Sequence, residues 1–184
     1  MSKGKLLQYI FSLLLTILLN QFICMVFDYS QLMPFYMFII TVGLESLIVY
    51  QVTKRMINNW NKMDKYAVSI LYFCFILAML MGRYGYQDSW IQLNPLACLR
   101  EFYYGTYYER MIFAFNIVSF IPIPIFIEVF TRNIKSSVVL AFLFGLLIEI
   151  LQVITHKGIF DLGDLTLYCV GICIGYVYMK KTEE

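Results

Sequence analysis

Five residues within LIEILQVITHKGIFDLGDL (147–165), namely Glu149, Gln152, His156, Asp161 and Asp164, belong to the types that hold cations, bind amines or move protons. His156 is the chain's single histidine. Gly145, Glu149, Gln152 and His156 follow at intervals of four, three and four, the spacing that places them on one face of a helix. Asp161 and Asp164 are three apart, so at a helix start both carboxylates lie over one turn. There the positive end of the helix dipole favours their charged form, and Lys157 is close enough in sequence to pair with one of them. Asn116, far upstream, sits inside an apolar run at comparable depth. Carboxylates, amides, a lysine and a histidine together suit a lipid-linked headgroup, a divalent cation or the cationic part of an amphiphilic drug. An oxygen-rich set takes a hard cation such as Mg²⁺ or Ca²⁺ more readily than zinc. No motif requires a cofactor.

Plainer roles compete for each residue. An aspartate at a helix start caps it by accepting backbone N–H bonds. Asn116 and Gln152 can serve as interhelical hydrogen bonds, each worth under about 1 kcal/mol on average. His156 can be a simple interfacial residue. Glu149 is harder to reduce to packing, because a carboxylate in mid-membrane costs about 2.5–3.5 kcal/mol and such groups face a cavity or a partner.

These residues must be positioned by membrane helices. The 184-residue chain is 61% hydrophobic and 14% charged, with a mean hydropathy of +0.73. Soluble domains are nearer half apolar and a quarter charged. Apolar runs long enough to cross about 30 Å of hydrocarbon occur near 6–27, 32–53, 66–82, 111–131, 136–155 and 162–179. The expected fold is an all-α polytopic bundle of about six transmembrane helices. The first run follows a basic start like a signal peptide but lacks a small-residue cleavage site, so it is expected to remain as a helix. Pro122 and Pro124 are expected to kink the fourth span. Glu45 and Glu128, nearer the opposite membrane face, are read as structural, and GICIG (171–175) as a helix-packing face. The five cysteines are odd in number and imply no disulfide framework.

The stretch 83–110 is too aromatic for an ordinary loop. Tyr84, Tyr86, Trp90, Phe102, Tyr103, Tyr104, Tyr107 and Tyr108 are of the ring types that prefer the headgroup layer. Residues 96–104 are expected to form a short helix lying flat on the membrane, with Leu96, Leu99, Phe102 and Tyr103 toward the lipid tails. The segment thus forms a collar at the same end as Asp161 and Asp164.

The order of motifs from LNPLACL (93–99) through FNIVSFIPIPIF (115–126), LIEILQ (147–152) and KGIFDLGDL (157–165) to GICIGY (171–176) resembles the VanZ-like membrane proteins. Asn94 and Pro95 match the first element of that pattern, Asn116, Phe120 and Pro122 the second, and Glu149 and Gln152 the third. Phe160, Asp161 and Asp164 match its turn, and Gly171 and Gly175 its last helix. The resemblance covers about residues 90–178. It departs at Lys157, where the family usually has Arg, at Gly163, often a further Asp, and at Tyr168, usually Asn. It implies a place in the cell envelope and an association with tolerance to the glycopeptide teicoplanin, without implying a reaction.

Two parts are therefore expected: an N-terminal three-helix membrane segment (1–82) and a VanZ-like segment (83–184) with the collar and three helices. Asn116, Glu149, Gln152, His156, Lys157, Asp161 and Asp164 are expected to line an outward-facing polar pocket for a cell-wall lipid or lipoglycopeptide. The partners are membrane lipids and such a ligand, not nucleic acid. A membrane enzyme acting on a lipid-linked phosphate, with His156 as acid or base, and a structural protein recruiting partners are the alternatives. The residues point to binding rather than catalysis.

Orientation follows from the basic residues. With the N-terminus inside, the cytoplasmic segments hold ten: Lys3, Lys5, Lys54, Arg55, Lys62, Lys65, Arg132, Lys135, Lys180 and Lys181. The outer segments hold four, namely Arg83, Arg100, Arg110 and Lys157, so both termini are expected in the cytoplasm. A membrane-impermeant thiol reagent applied to intact cells should therefore label a cysteine placed at Gln87 and spare one at Asn59. The opposite pattern would invert the topology.

Overall fold

The computed structural model describes residue 7 and residues 10–18, 35–57, 61–81 and 91–183. It divides into two compact units, residues 1–83 and 84–184. In the first unit, residues 10–18 are helical, and α1 (Phe35–Ile57) packs against α2 (Lys62–Met81). Among the described side chains of α1, Thr41, Glu45, Val49 and Thr53 are buried. They recur every fourth position and form one stripe along the helix. Buried hydroxyls here are satisfied locally: Thr41 donates to the Phe38 carbonyl, Thr53 to that of Tyr50 and Ser69 to that of Lys65.

Helix α2 begins four residues before the apolar run because its polar start is capped. The Asn61 side chain accepts the Asp64 N–H at 2.8 Å, while the Asp64 carboxylate accepts the Asn61 N–H at 3.2 Å. That reciprocal pairing satisfies two of the helix's orphan donors. Lys54 of α1 closes the corner with an ion pair to Asp64.

The second unit contains β1 (Ile91–Gln92), α3 (Ala97–Tyr104), α4 (Tyr107–Phe120), α5 (Pro122–Thr131), α6 (Ile134–Ile154), β2 (Phe160–Asp161) and α7 (Leu162–Glu183). Among the described residues three segments are long and apolar enough to cross a membrane: Tyr107–Thr131, Ile134–Ile154 and Leu162–Thr182. The last two lie within two or three residues of the runs read from sequence. The first starts four residues earlier, because Thr106 caps α4. Its hydroxyl accepts the Glu109 N–H at 3.3 Å, and the Glu109 carboxylate in turn takes the Thr106 N–H. Alongside the helices there is one pairing that the sequence did not announce. Ile91 pairs with Phe160 and Gln92 with Asp161 in parallel register, so the collar is clipped to the turn before α7.

The prolines interrupt this span, as their missing donors predict: Ile121 keeps helical angles (φ −59°, ψ −49°), while the regular helix stops just before it and restarts just after. Helix α4 ends at Phe120, Ile121 serves as the joint, and Pro122 takes the first position of α5. Backbone N–H groups of a first turn have no intrahelical acceptor, so a proline there forfeits no bond. Ile121 donates instead to Val118 at 3.4 Å, a tighter turn than the α-helical one.

Helix α7 closes on this joint with GICIG, as the small-residue spacing predicts. A Cβ built on Gly171 would collide with the Ile117 carbonyl oxygen and lie 2.9 Å from the Phe120 Cβ. One on Gly175 would collide with the Ile121 carbonyl oxygen and lie 2.8 Å from the Pro124 ring. Only glycine lets the two backbones approach so closely. Gly145 of α6 has a related role, since a Cβ there would sit 3.1 Å from the Tyr168 ring and 3.2 Å from that of Phe120. Those rings stack at 3.9 Å between centroids and 14° between planes, and both are fully buried. Gly171→Ala and Gly175→Ala should each cost about 1–3 kcal/mol by overpacking. Gly43→Ala, where a Cβ meets nothing within 4 Å, should be neutral or stabilise by up to about 1 kcal/mol through helix propensity. Unfolding midpoints in detergent distinguish the two classes.

Candidate functional site

Polar side chains converge where α4, α6 and the start of α7 meet. Glu149 is 0% exposed. One of its carboxylate oxygens accepts the backbone N–H of Asp161 at 3.0 Å, and the other accepts the Tyr168 hydroxyl at 2.8 Å. Asn116, 1% exposed, donates its side-chain N–H to the Asp164 carboxylate at 2.7 Å. Helices α6 and α4 are therefore each tied to the first turns of α7 by a bond with a carboxylate at one end. Each of these bonds joins residues 12 to 48 positions apart.

Gln152 is buried on the same face of α6, but its amide lies under the following turn. A Cβ on Gly158 would come 2.9 Å from its oxygen. That turn ends the helix in a recognised way. The Lys157 N–H donates to the Gln152 carbonyl and the His156 N–H to that of Val153, with His156 left-handed at φ 53°. The stripe of one residue per turn therefore stops at Gln152. The left-handed residue swings the chain off the helix, and His156 is exposed at the corner instead of continuing the face. Its position is that of a helix terminator. Lys157 is half-buried in the same turn.

Of the two aspartates, Asp161 is the cap. Its side chain accepts the Gly163 N–H at 2.6 Å and a second backbone bond from Asp164. Asp164 stands within the first turn of α7, half-buried. Over this turn lies α3. Cys98 is buried against α7, and a Cβ on Gly163 would lie 3.2 Å from the Cys98 Cβ and 3.3 Å from its nitrogen. The collar thus borders the site, as the sequence suggests, and contributes to its electrostatics. Burial pushes the Asp161 carboxyl up, against the pull of its two backbone bonds. Partial burial, then the charges of Asp161 and Glu109, raises Glu101 of α3. Burial, then Asp164 and Asp161, raises the Cys98 thiol. The mouth of the site is acidic. Among the described residues no group of three or more His, Cys, Asp or Glu is placed to hold a metal ion.

Three participants escaped the sequence reading: Tyr168, Glu101 and Cys98. Tyr168 carried a signal. Asp164, Tyr168, Gly171 and Gly175 repeat the four, three, four spacing of the α6 face, and a tyrosine hydroxyl deep in an apolar run needs an acceptor.

A model of the VanZ/LLP1 family matches residues 65–181, extending further toward the N-terminus than the motifs do and taking in most of α2. No curated protein and no solved structure matches the chain. Tyr168→Phe leaves Glu149 one donor short and should cost about 1–3 kcal/mol in unfolding measurements. In a Glu149→Leu background the same change should cost almost nothing. Equal costs in the two backgrounds would mean that the pair does not interact.

Proposed function

The chain belongs to the VanZ/LLP1 family of membrane proteins, and from that premise we propose that it binds an amphiphile at the outer leaflet, a cell-wall lipid or a lipoglycopeptide of the teicoplanin kind. Asp164 and Asp161 are the charges that meet the cationic part of this ligand. The supporting observation is the bond from buried Asn116 to the Asp164 carboxylate. Helix packing in this unit is already served by the glycine contacts and the Phe120–Tyr168 stack. Capping is served by Asp161. A second carboxylate kept at the membrane edge and held in place by a buried amide fits recognition of charge better than either task. Glu149 and Gln152 form the wall behind it, and His156 and Lys157 belong to the rim. In this reading six spans cross the membrane, both termini are cytoplasmic, and the collar opens outward; the ten-to-four basic asymmetry supports that arrangement.

Asp164→Asn keeps an oxygen for the Asn116 amide and removes the charge, and Asp161→Asn keeps the cap, since Asn caps as well as Asp. In cells whose glycopeptide tolerance depends on this protein, Asp164→Asn should abolish tolerance, and the double Asn variant should do so completely. Expression and unfolding midpoint should stay near wild type. A double Asn variant with full tolerance would reject the charged-pocket reading.

A further inference from the structure

The collar carries a second surface, independent of any ligand. Leu96, Leu99, Tyr103 and Tyr104 of the α3 region are exposed, Tyr104 by 88% and Leu96 by 61%, and Ile91 and Leu93 just before them by 68% and 66%. The opposite side of α3 is fastened to the bundle. Cys98 sits on Gly163, the Phe102 ring lies 4.7 Å from that of Phe113, and Ile91 and Gln92 are paired with β2. A surface this apolar on a segment this firmly held calls for an occupant.

We propose that residues 91–104 form a membrane-contact surface in their own right, with α3 lying in the lipid headgroup layer and its exposed face on the acyl chains. The depth follows from the attachments. Only Gly105 and Thr106 separate α3 from the membrane-crossing segment that begins at Tyr107. The three steps from Tyr104 to Tyr107 span at most about 11 Å. Phe113 lies two residues into the apolar run that starts near 111, roughly 3 Å along its axis at 1.5 Å per residue, so a ring of α3 reaches the edge of the hydrocarbon-crossing stretch. A helix held there cannot stand clear of the bilayer. Tyr107 and Val118 of α4, within the span that follows, are exposed as well. The composition of the α3 face is that of an interfacial anchor, aromatic rings beside leucines. Because Cys98 rests on the first turn of α7, this anchoring also sets Asp161 at the boundary between water and hydrocarbon.

The test uses the full chain in phosphatidylcholine vesicles, with Trp60 and Trp90 replaced by Phe and a single reporter introduced as Tyr104→Trp. Lipids brominated near the headgroup should quench its emission more than lipids brominated near the chain ends. Leu143→Trp, on the exposed side of α6 in mid-span, should show the reverse order. Aqueous iodide should quench neither strongly. If Tyr104→Trp is quenched by iodide and not by brominated lipid, the face is open to water and the proposal falls. If neither quencher reaches it while Leu143→Trp responds to lipid, another protein surface or a second copy covers it, and the proposal falls equally. Neither result bears on the Asp164 charge, which the tolerance measurement addresses separately.

Discussion

A fully buried carboxyl group must find its hydrogen-bond partners inside the protein, and much of the second unit is arranged around how Glu149 does so. Its two oxygens take a backbone N–H from Asp161 and a hydroxyl from Tyr168, both on the segment that starts α7. Leaving either oxygen bare in a dry bundle would cost on the order of 1–3 kcal/mol, a large share of a typical folding free energy. The requirement fixes the rotation of α6, the path of the 155–161 turn and the depth of α7 together. Asn116 adds the matching tie from α4 to Asp164.

Those ties can form only because the backbones come close. The joint at Ile121 turns α4 into α5 without an unsatisfied proline position, and Gly171 and Gly175 seat α7 on that joint. Gly145 opens the space for the Phe120–Tyr168 stack, which holds the Tyr168 hydroxyl over Glu149. Apolar packing and polar satisfaction therefore reinforce one another here: the same tyrosine fills the core and supplies the donor. In a membrane, where lipid competes equally for apolar side chains, such close contacts and internal hydrogen bonds carry the association of helices.

At the collar end the logic changes from satisfying charge to presenting it. Asp161, Asp164 and Glu101 gather where α3 covers the α7 start; burial makes the Asp161 and Glu101 carboxyls harder to ionise than free ones, and at Glu101 the charges of Asp161 and Glu109 add to this. Such a place suits a positively charged group arriving from the water or headgroup side, with the apolar flank of α3 beside it for an attached chain. Structural ties hold the inner half of the polar set, and the proposed recognition would fall to the outer half.

The sequence by itself determined the class of the molecule and the extent of its second-unit helices. Apolar run length and charge placement are local properties, so residues 134–154 and 162–182 were legible within a few positions, and the family pattern placed Asn116, Glu149, Asp161 and Asp164 in one neighbourhood. Which of them touch was decided by tertiary structure. His156 had the right spacing for the α6 face and lies off it, because a left-handed residue turns the chain one step earlier than periodicity assumes. Pro122 was legible as a disruption of its span, but that the break falls at Ile121, with the proline in the first position of the helix that follows, was decided by the structure. Tyr168 looked like a loss from the family pattern and became a donor to Glu149, because two helix faces with the same spacing meet in register. Periodicity tells which side of a helix a residue is on; which residue stands opposite depends on how closely, and at what depth, the neighbouring helix can approach.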